Sequence, residues 1–291
     1  MNFGRRIKAE SLLVFVALIW GSTFVVVKEA LEDASPLPFL AVRFTLAGVV
    51  LLLVMSRGGV ARSAVIPGLL LGVFLFGGYL LQTMGLVYTT PAKSAFITGF
   101  GVILVPLIQV FYGFRLRAAV VVGALAGLFG IYFLVLPSGL AAVNRGDTLT
   151  LIGSLSFAVH IVLVGRFTRR YSFRDLAPLQ IITAGMLAVV ALPLDGSFKL
   201  HWTFALSGAL LVTALLATAF AFSVQNWAQQ FTPPAHTALI FALEPVFAAL
   251  TSRLVMGEHL GNRVVLGSAM ILAGMVISEV WGGSPPSPVE G

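Results

Sequence analysis

Neutral polar side chains within long apolar segments are the residues of this chain that could do chemistry. Gln82 and Tyr79 lie three residues apart, so a helix would point both toward one side. Ser94 and Thr98 are one helical turn apart and share a face with Gly101. Amides, hydroxyls and a phenol can bind a small solute in a cavity. The competing interpretation for each residue is hydrogen bonding or close packing between helices.

Further candidates come from three other apolar segments. Trp20 offers an aromatic wall and Ser22 a hydroxyl, whereas Gln225 offers an amide. His160 could bind substrate or take up a proton near neutral pH, or it could bridge two helices. The predicted substrate-binding residues are Trp20, Ser22, Tyr79, Gln82, Ser94, Thr98, His160 and Gln225.

Two charged residues and two prolines also interrupt apolar segments. Arg43 lies in the second segment, Pro106 in the fourth, and Glu244 directly precedes Pro245 in the ninth. Because proline lacks a backbone donor and frees a carbonyl, we predict flexible bends at Pro106 and Pro245. A charge inside a membrane needs a partner. We therefore expect structural roles for Arg43 and Glu244, with a direct ion pair between them as one hypothesis.

Other kinds of chemistry lack their residues. The chain has no Cys and four His, and the His are not spaced as metal ligands, so no metal and no cofactor are expected. There is no Walker A motif for ATP hydrolysis and no selectivity-filter motif for a channel. A membrane-embedded enzyme would need paired acids, a zinc motif or an activated serine, and none is visible. The function class that remains is a secondary carrier driven by gradients.

Composition places the chain in a lipid bilayer. Hydrophobic residues make up 58% of its 291 residues and charged residues 10%, with a mean hydropathy of +1.01. Soluble domains carry about 25% charged residues. The formal net charge is +7, but the 18 Lys and Arg form short clusters between apolar runs instead of one basic face, which argues against nucleic acid as a partner.

Charges, prolines and turn residues divide the chain into ten apolar segments long enough to cross a membrane as helices. The predicted spans are 11–30, 36–56, 64–86, 93–113, 118–136, 148–166, 176–194, 203–226, 236–256 and 263–281. The short loops leave no room for a soluble domain, and residues 282–291 have the composition of a disordered linker.

Basic residues in alternate loops predict the orientation, because cytoplasmic loops carry the excess of Lys and Arg. With the N-terminus inside, the inner loops hold Arg5, Arg6, Lys8, Arg57, Arg62, Arg115, Arg117, Arg166, Arg169, Arg170 and Arg174. The outer loops hold only Lys28, Lys93, Arg145, Lys199, Arg253 and Arg263. This bias predicts that both termini lie in the cytoplasm.

The two halves of the chain resemble each other. The segment 92–97 aligns with 235–240, each after a Thr-Pro turn, and Gly113, Gly123 and Gly130 match Gly257, Gly267 and Gly274 at a constant offset. Because each half holds an odd number of spans, the halves must have opposite orientations. The sequence thus predicts an all-α integral membrane fold of ten transmembrane helices in two inverted five-helix repeats, 1–140 and 141–281.

Three motifs carry a resemblance to a known family. They are Trp20-Gly-Ser-Thr-Phe24, the run from Gln82 to Ile97, and Leu243-Glu-Pro245. Together they resemble EamA-type transporters of the drug/metabolite transporter superfamily, and among these the YddG-type aromatic amino acid exporters. Phe157 departs from the pattern, since a Trp is common there. The resemblance implies two EamA repeats, a bacterial inner membrane and export of amino acids or related metabolites.

We therefore predict a secondary transporter that exports small neutral metabolites, above all amino acids with aromatic or other apolar side chains, by alternating access. The alternatives are a multidrug or other metabolite exporter of the same fold, or a membrane-embedded enzyme. The expected partners are a small-molecule substrate and the lipid bilayer, and a single chain can form the whole carrier. Sequence leaves the substrate, proton coupling and oligomeric state open.

Overall fold

The computed structural model describes residues 3–55, 59–113, 117–135, 144–196 and 198–282, and these ranges are built from helices. The helices are α1 (Phe3–Ala30), α2 (Pro36–Met55), α3 (Arg62–Tyr88), α4 (Pro91–Gly99), α5 (Gly101–Gln109), α6 (Ala118–Val135), α7 (Arg145–Phe167), α8 (Phe173–Ala191), α9 (Phe204–Ala214), α10 (Ala221–Ala228), α11 (Pro234–Phe241), α12 (Glu244–Met256) and α13 (Asn262–Gly282). The predicted tail after Gly282 lies outside the described residues.

These helices form the ten segments predicted from the sequence. Eight are long and apolar enough to cross a membrane, and α6 and α13 contribute the shorter apolar stretches Ala118–Gly130 and Val265–Ile277. Large apolar side chains such as Phe204 and Phe111 are 96% and 88% exposed. Such side chains suit lipid as the surrounding solvent. The prediction of an all-α membrane protein is confirmed.

The first helix begins earlier than predicted. It starts at Phe3 and includes the basic head, whereas hydropathy alone placed its start at residue 11. Arg6 Nε donates a 2.8 Å hydrogen bond to Glu10 Oε1, four residues later. Such pairs stabilise a helix. Helix α1 therefore continues through charged residues that can lie outside the hydrocarbon core of the bilayer.

Three of the segments are interrupted helices. The fourth breaks at Phe100 between α4 and α5, and the ninth breaks between Phe241 and Glu244. The eighth contains a π-helical turn, Leu215–Phe220, between α9 and α10. The ninth break lies at the predicted Pro245, but Pro106 lies within α5 and the break precedes it. The two glycines that flank Phe100 give a reason, since glycine weakens a helix interior.

Repeat symmetry is visible where equivalent helices end and pack. Gly113 and Gly257 adopt left-handed conformations with φ of 87° and 66°, and each follows the second half of an interrupted segment. This conformation favours glycine. Equivalent glycines of the two halves therefore make equivalent turns.

Helices α6 and α13 pack closely through glycines of both halves. A β-carbon on Gly130 would lie 2.6 Å from the carbonyl oxygen of Gly267, and one on Gly274 would lie 2.5 Å from that of Gly123. The two contacts are reciprocal under the repeat. Small residues permit such close approach in membranes, so this pair is a scaffold.

Two of the three buried apolar clusters among the described residues meet at Trp20. One contains Phe39 and Phe44 of α2 with Leu75 of α3. The other contains Ile97 and Ile103 of the interrupted fourth segment. Trp20 packs against both clusters. The candidate site lies beside this residue.

Candidate substrate cavity

A cavity of about 80 Å³ lies within the helix bundle. A single water needs about 10–15 Å³ on the same measure, so the cavity has room for several waters or one small solute. Its walls come from α1, α2, α3, α7 and α10 and from the interrupted fourth and ninth segments. Six predicted binding residues line it, namely Trp20, Tyr79, Gln82, Thr98, His160 and Gln225.

Aromatic rings form much of the cavity wall. The ring centroid of Trp20 lies 5.1 Å from that of Phe222 and 4.9 Å from that of Phe241. Tyr79 makes an edge-to-face contact with Phe157 at 5.1 Å. Spacings of 4.5–7 Å are typical of favourable aromatic pairs. The rings therefore form a packed apolar wall.

The π-helical turn positions Trp20. The indole Nε1 donates a 2.7 Å hydrogen bond to the carbonyl oxygen of Ala217. In a π turn the backbone hydrogen bonds are shifted, and such turns are frequent at functional sites. Thr218 of the same turn donates a 2.8 Å hydrogen bond from Oγ1 to the Thr213 carbonyl. The sequence carried no recognisable signal for this turn.

Gln82 and Thr98 connect two of the lining helices. Gln82 Nε2 donates a 3.0 Å hydrogen bond to Thr98 Oγ1, which joins α3 to the end of α4. Gly99 and Gly101, on either side of the break in this segment, also line the cavity. Gln82 and Thr98 thus both line the cavity, and they also form a hydrogen bond that links two helices.

His160 lines the cavity and also bridges α7 and α8. Its Nε2 lies 2.7 Å from Gln180 Oε1, and its ring makes an edge-to-face contact with Phe222 at 5.9 Å. Both interpretations made from the sequence, a substrate contact and a link between helices, are compatible with this position.

Gln225 lines the cavity and has an unused acceptor. Its Nε2 donates a 3.1 Å hydrogen bond to Gln229 Oε1, and Gln229 Nε2 donates to the Ile161 carbonyl at 3.1 Å. Gln225 Oε1 is buried and has no partner among the described residues. A buried acceptor without a partner is costly, so a donor on a bound solute would satisfy it.

Arg43 supplies the positive charge of the cavity wall. It is only 2% exposed, and its Nε donates a 2.8 Å hydrogen bond to Thr218 Oγ1. Its guanidinium carbon lies 4.6 Å from the ring centroid of Tyr79 and 5.5 Å from that of Phe44. These contacts fix its orientation and provide cation–π attraction.

Glu244 supplies the negative charge. It begins α12 just after the break in the ninth segment, and its side chain is partly exposed and lines the cavity. Among the described residues no ion pair within 4.0 Å joins it to Arg43. The hypothesis of a direct Arg43–Glu244 bridge is therefore wrong for this structure, because Arg43 is directed toward Thr218 and Tyr79.

Ser22 and Ser94 were also predicted to bind substrate, but they lie outside the cavity lining. Ser22 Oγ is 3.3 Å from Thr251 Oγ1 on α12. Its neighbour Gly21 packs so tightly there that a β-carbon would lie 2.5 Å from the Glu244 carbonyl oxygen. Ser94 is fully buried within the protein. Ser22 thus contacts α12 and Ser94 is enclosed by protein, so substrate binding by these two serines stays a prediction.

Polar contacts join the two halves at the end of the bundle that contains Lys28. Lys93 Nζ lies 2.5 Å from Asp147 Oδ2, and Thr89 Oγ1 donates to Asp147 Oδ1 at 2.7 Å. Lys28 Nζ donates to the Leu86 carbonyl at 2.8 Å. Lys93 thus has a protein partner instead of extending to the membrane surface.

Sequence reasoning missed several lining residues, namely Phe24, Phe157, Phe222, Phe241 and Thr83. Phe is abundant in this chain, with 23 residues, and its presence in an apolar segment does not tell whether it faces lipid or a cavity. Polarity identified Gln82, Thr98 and Gln225 but missed the hydroxyl of Thr83, and it could not identify the aromatic rings.

Comparison with known proteins decides the family. The model of the EamA-like transporter family matches residues 7–136 and again residues 144–279. The chain belongs to the EamA-like transporter family. This EamA-like chain is 37% identical over 275 residues to an uncharacterized transporter from Archaeoglobus fulgidus, covering 94% of this chain and 86% of that protein. It is 28% identical to the uncharacterized inner membrane transporter YedA of Escherichia coli K12, covering 95% and 92%.

A solved structure has the same fold as the EamA-like chain. It is a crystal structure of a protein that is 20% identical, with a TM-score of 0.69 over 94% of this chain and 97% of that one. At this identity the likeness concerns the fold alone. Together with the family match, the comparisons make this EamA-like chain a multi-pass membrane transporter and not an enzyme.

Proposed function

We propose that this transporter exports small neutral metabolites, specifically amino acids with aromatic or other apolar side chains, by alternating access. One observation carries the proposal. A single cavity combines aromatic walls with neutral polar groups and one charge of each sign, and the two charges form no ion pair with each other.

The aromatic wall matches an apolar side chain. Trp20, Tyr79, Phe222 and Phe241 surround the cavity with ring faces and edges. Burying an apolar side chain in such surroundings is favourable, and ring-to-ring contacts add roughly 0.5–1.5 kcal/mol for an aromatic one. A sugar would bury hydroxyl groups against rings that offer few hydrogen-bond partners.

The polar groups match the two ends of a zwitterion. The unpaired Oε1 of Gln225 can accept from an ammonium group, whereas Gln82 and Thr98 offer an amide and a hydroxyl. The sequence predicted little fixed charge near this site, but Arg43 and Glu244 both line the cavity. Since they are separate and opposite in sign, they favour a solute that is neutral overall and carries both charges.

Other solute classes fit less well. Phosphorylated or strongly anionic solutes need several Arg or Lys side chains, and Arg43 is the one such residue among the described cavity-lining residues. Multivalent cations need several carboxylates, and Glu244 is the one carboxylate there. A multidrug exporter is thus the weaker alternative.

Interrupted helices support alternating access. Transporters with inverted repeats bind substrate near the midplane, where broken helices from both repeats meet, and they work by moving one repeat against the other. Here the breaks beside Gly99 and Glu244 face the same cavity. We assign the repeats to residues 1–140 and 141–281, in accordance with the two family matches at 7–136 and 144–279.

Direction and location rest on resemblance and charge. The motifs resemble those of YddG-type aromatic amino acid exporters, and the relative YedA is named an inner membrane transporter. The distribution of basic residues favours both termini in the cytoplasm. We therefore propose a bacterial inner membrane location with outward transport of amino acids.

Counterflow in proteoliposomes tests the proposal. Purified protein in liposomes loaded with unlabelled leucine or phenylalanine should accumulate the labelled amino acid, as a carrier does and a channel does not. Gln82→Ala should lower this flux because it removes the contact to Thr98, with Gln230→Ala at the end of α10 as a matched control. Flux of sugar phosphates or organic cations without any amino acid flux would contradict the proposal.

A further inference from the structure

We propose that Glu244 is the recognition site for the ammonium group of the transported solute, so that a primary amine is the required part of the substrate. This inference rests on the proposed function, because it assigns the charged end of the amino acid to a named side chain. It goes further in ranking the two ends of the solute. The ammonium is essential, whereas the carboxylate can be dispensed with.

Glu244 is a carboxylate without a counter-charge. Its side chain lines the cavity and is partly exposed to it. Among the described residues it accepts no hydrogen bond and forms no ion pair within 4.0 Å. An ionised carboxylate at membrane depth is costly unless a cation, a set of donors or a proton compensates it. The protein leaves this compensation to something that enters the cavity.

No neighbouring cation of the described chain is free to do so. Arg43 is held by Thr218 and by the face of Tyr79. Lys93 pairs with Asp147, and Lys28 donates to backbone carbonyls at the end of α3. These residues have partners of their own, and Glu244 is left facing the cavity.

A primary ammonium fits the position by charge and by its donors. It carries three donors, one for the carboxylate of Glu244 and others for acceptors of the cavity wall, where Gln225 also lies. Phe241, three residues before Glu244, and Trp20 line the same cavity, and their ring faces attract a cation. The charge of Glu244 would repel the carboxylate end of the solute.

The two charged ends of the solute are recognised unequally. Arg43 already donates a hydrogen bond and contacts two rings in the empty cavity, whereas no such contact compensates Glu244. Glu244 gains its first partner when an ammonium binds. Leaving a buried charge unpaired costs more than the net gain of an extra contact. Amines should therefore bind without a carboxylate, but acids should not bind without an ammonium.

Competition in the wild-type transporter tests this ranking without any mutation. Labelled phenylalanine counterflow is measured with phenethylamine, which lacks the carboxylate, and with 3-phenylpropionate, which lacks the ammonium, as inhibitors. We expect phenethylamine to inhibit at a concentration about ten- to a hundredfold lower than phenylpropionate. Equal inhibition, or stronger inhibition by the acid, would overturn the inference.

Variants then assign the preference to one side chain. Glu244→Gln should raise the KM for phenylalanine about ten- to a hundredfold and abolish the preference for the amine. Glu244→Asp keeps the charge and should retain the preference. Glu29→Gln makes the same chemical change at an exposed position near the end of α1 and should behave like the wild type. Glu244→Gln that folds and keeps both the KM and the preference would contradict the assignment.

Failure of this inference can be told apart from failure of the proposed function. If the wild type carries neutral amino acids but prefers the acid or is indifferent, the function stands and Glu244 is not the ammonium site. If the wild type carries no amino acid, the proposed function fails. Thermal stabilisation of the purified protein by phenethylamine, lost in Glu244→Gln, would then still support an ammonium site, and its absence in the wild type would refute it.

Discussion

The guanidinium carbon of Arg43 lies 4.6 Å from the ring centroid of Tyr79, so a buried cation of α2 rests on an aromatic wall of α3. Tyr79 is 7% exposed and also makes edge-to-face contacts with Phe44 and Phe157. One ring therefore serves two purposes, because it holds the cation in place and shapes the cavity.

Replacing this ring should impair transport without unfolding the protein. Tyr79→Ala removes a cation–π contact of about 0.5–2 kcal/mol and part of the wall, and we expect counterflow of phenylalanine to fall about tenfold. Tyr79→Phe keeps the ring and should retain most of the flux. Tyr112→Ala is a matched control. The ring centroid of Tyr112 lies 4.1 Å from the guanidinium carbon of Arg166, and neither residue lines the cavity. Full activity of Tyr79→Ala would count against the site.

The broken helices should control the rate of the conformational change. Replacing both Pro106 and Pro245 by Ala restores backbone donors in equivalent segments, and we expect turnover to fall on the order of fivefold with little change in substrate affinity. Pro245 should account for most of the effect, because a backbone N–H at this position could bond to the Phe241 carbonyl and close the break, whereas Pro106 lies within α5. Turnover and substrate Kd are measured separately.

A suitable control is Pro36→Ala at the start of α2, where the missing donor lies outside the helical hydrogen bonds. The hinge hypothesis fails if the double variant turns over at the wild-type rate, or if it loses affinity in proportion to turnover.

Close packing of α6 and α13 should contribute to stability and not to substrate recognition. Gly130→Leu would force a β-carbon to within 2.6 Å of the Gly267 carbonyl oxygen, and overpacking of this kind costs about 1–3 kcal/mol. We expect a lower Tm in detergent but an unchanged KM in the protein that remains folded. Gly208→Leu is the control, because nothing lies within 4 Å of its β-carbon position. Equal Tm values for the two variants would contradict a scaffold role.

The helices could be predicted because a membrane imposes a length on every apolar segment. Ten spans follow from hydropathy, and the constant offset between Gly113 and Gly257 revealed the repeat, which the structure shows as two equivalent left-handed turns. Helix starts were harder, since α1 continues into its charged head. Charged residues stop a hydrophobic run without stopping a helix.

The site was partly predictable because polar groups are rare in membrane-spanning segments and must face a polar partner or a cavity. This reasoning found Gln82 and Thr98, but it could not separate Ser22, which faces α12, from residues that face the cavity. In lipid both faces of a helix are apolar, so periodicity does not tell which side faces inward. The π turn that holds Trp20 and Arg43 has no sequence signature.

Membrane topology can be tested with single cysteines, because the chain has none of its own. With both termini in the cytoplasm, a cysteine at Gly196, in an exposed loop with open space around it, should react with an impermeant thiol reagent in intact cells. A cysteine at the exposed Ser172 should react only after the cells are opened. The reverse pattern would overturn the predicted orientation. Gly146 is a poor site because it packs against α3.

The most direct test of the central claim is counterflow of labelled phenylalanine and leucine by the purified wild-type protein in liposomes, beside a sugar phosphate and an organic cation. A cavity with aromatic walls and one charge of each sign, which form no ion pair with each other, predicts accumulation of the amino acids, accelerated by unlabelled amino acid inside. Accumulation of the sugar phosphate or the organic cation, with no amino acid flux above that of protein-free liposomes, would contradict the account.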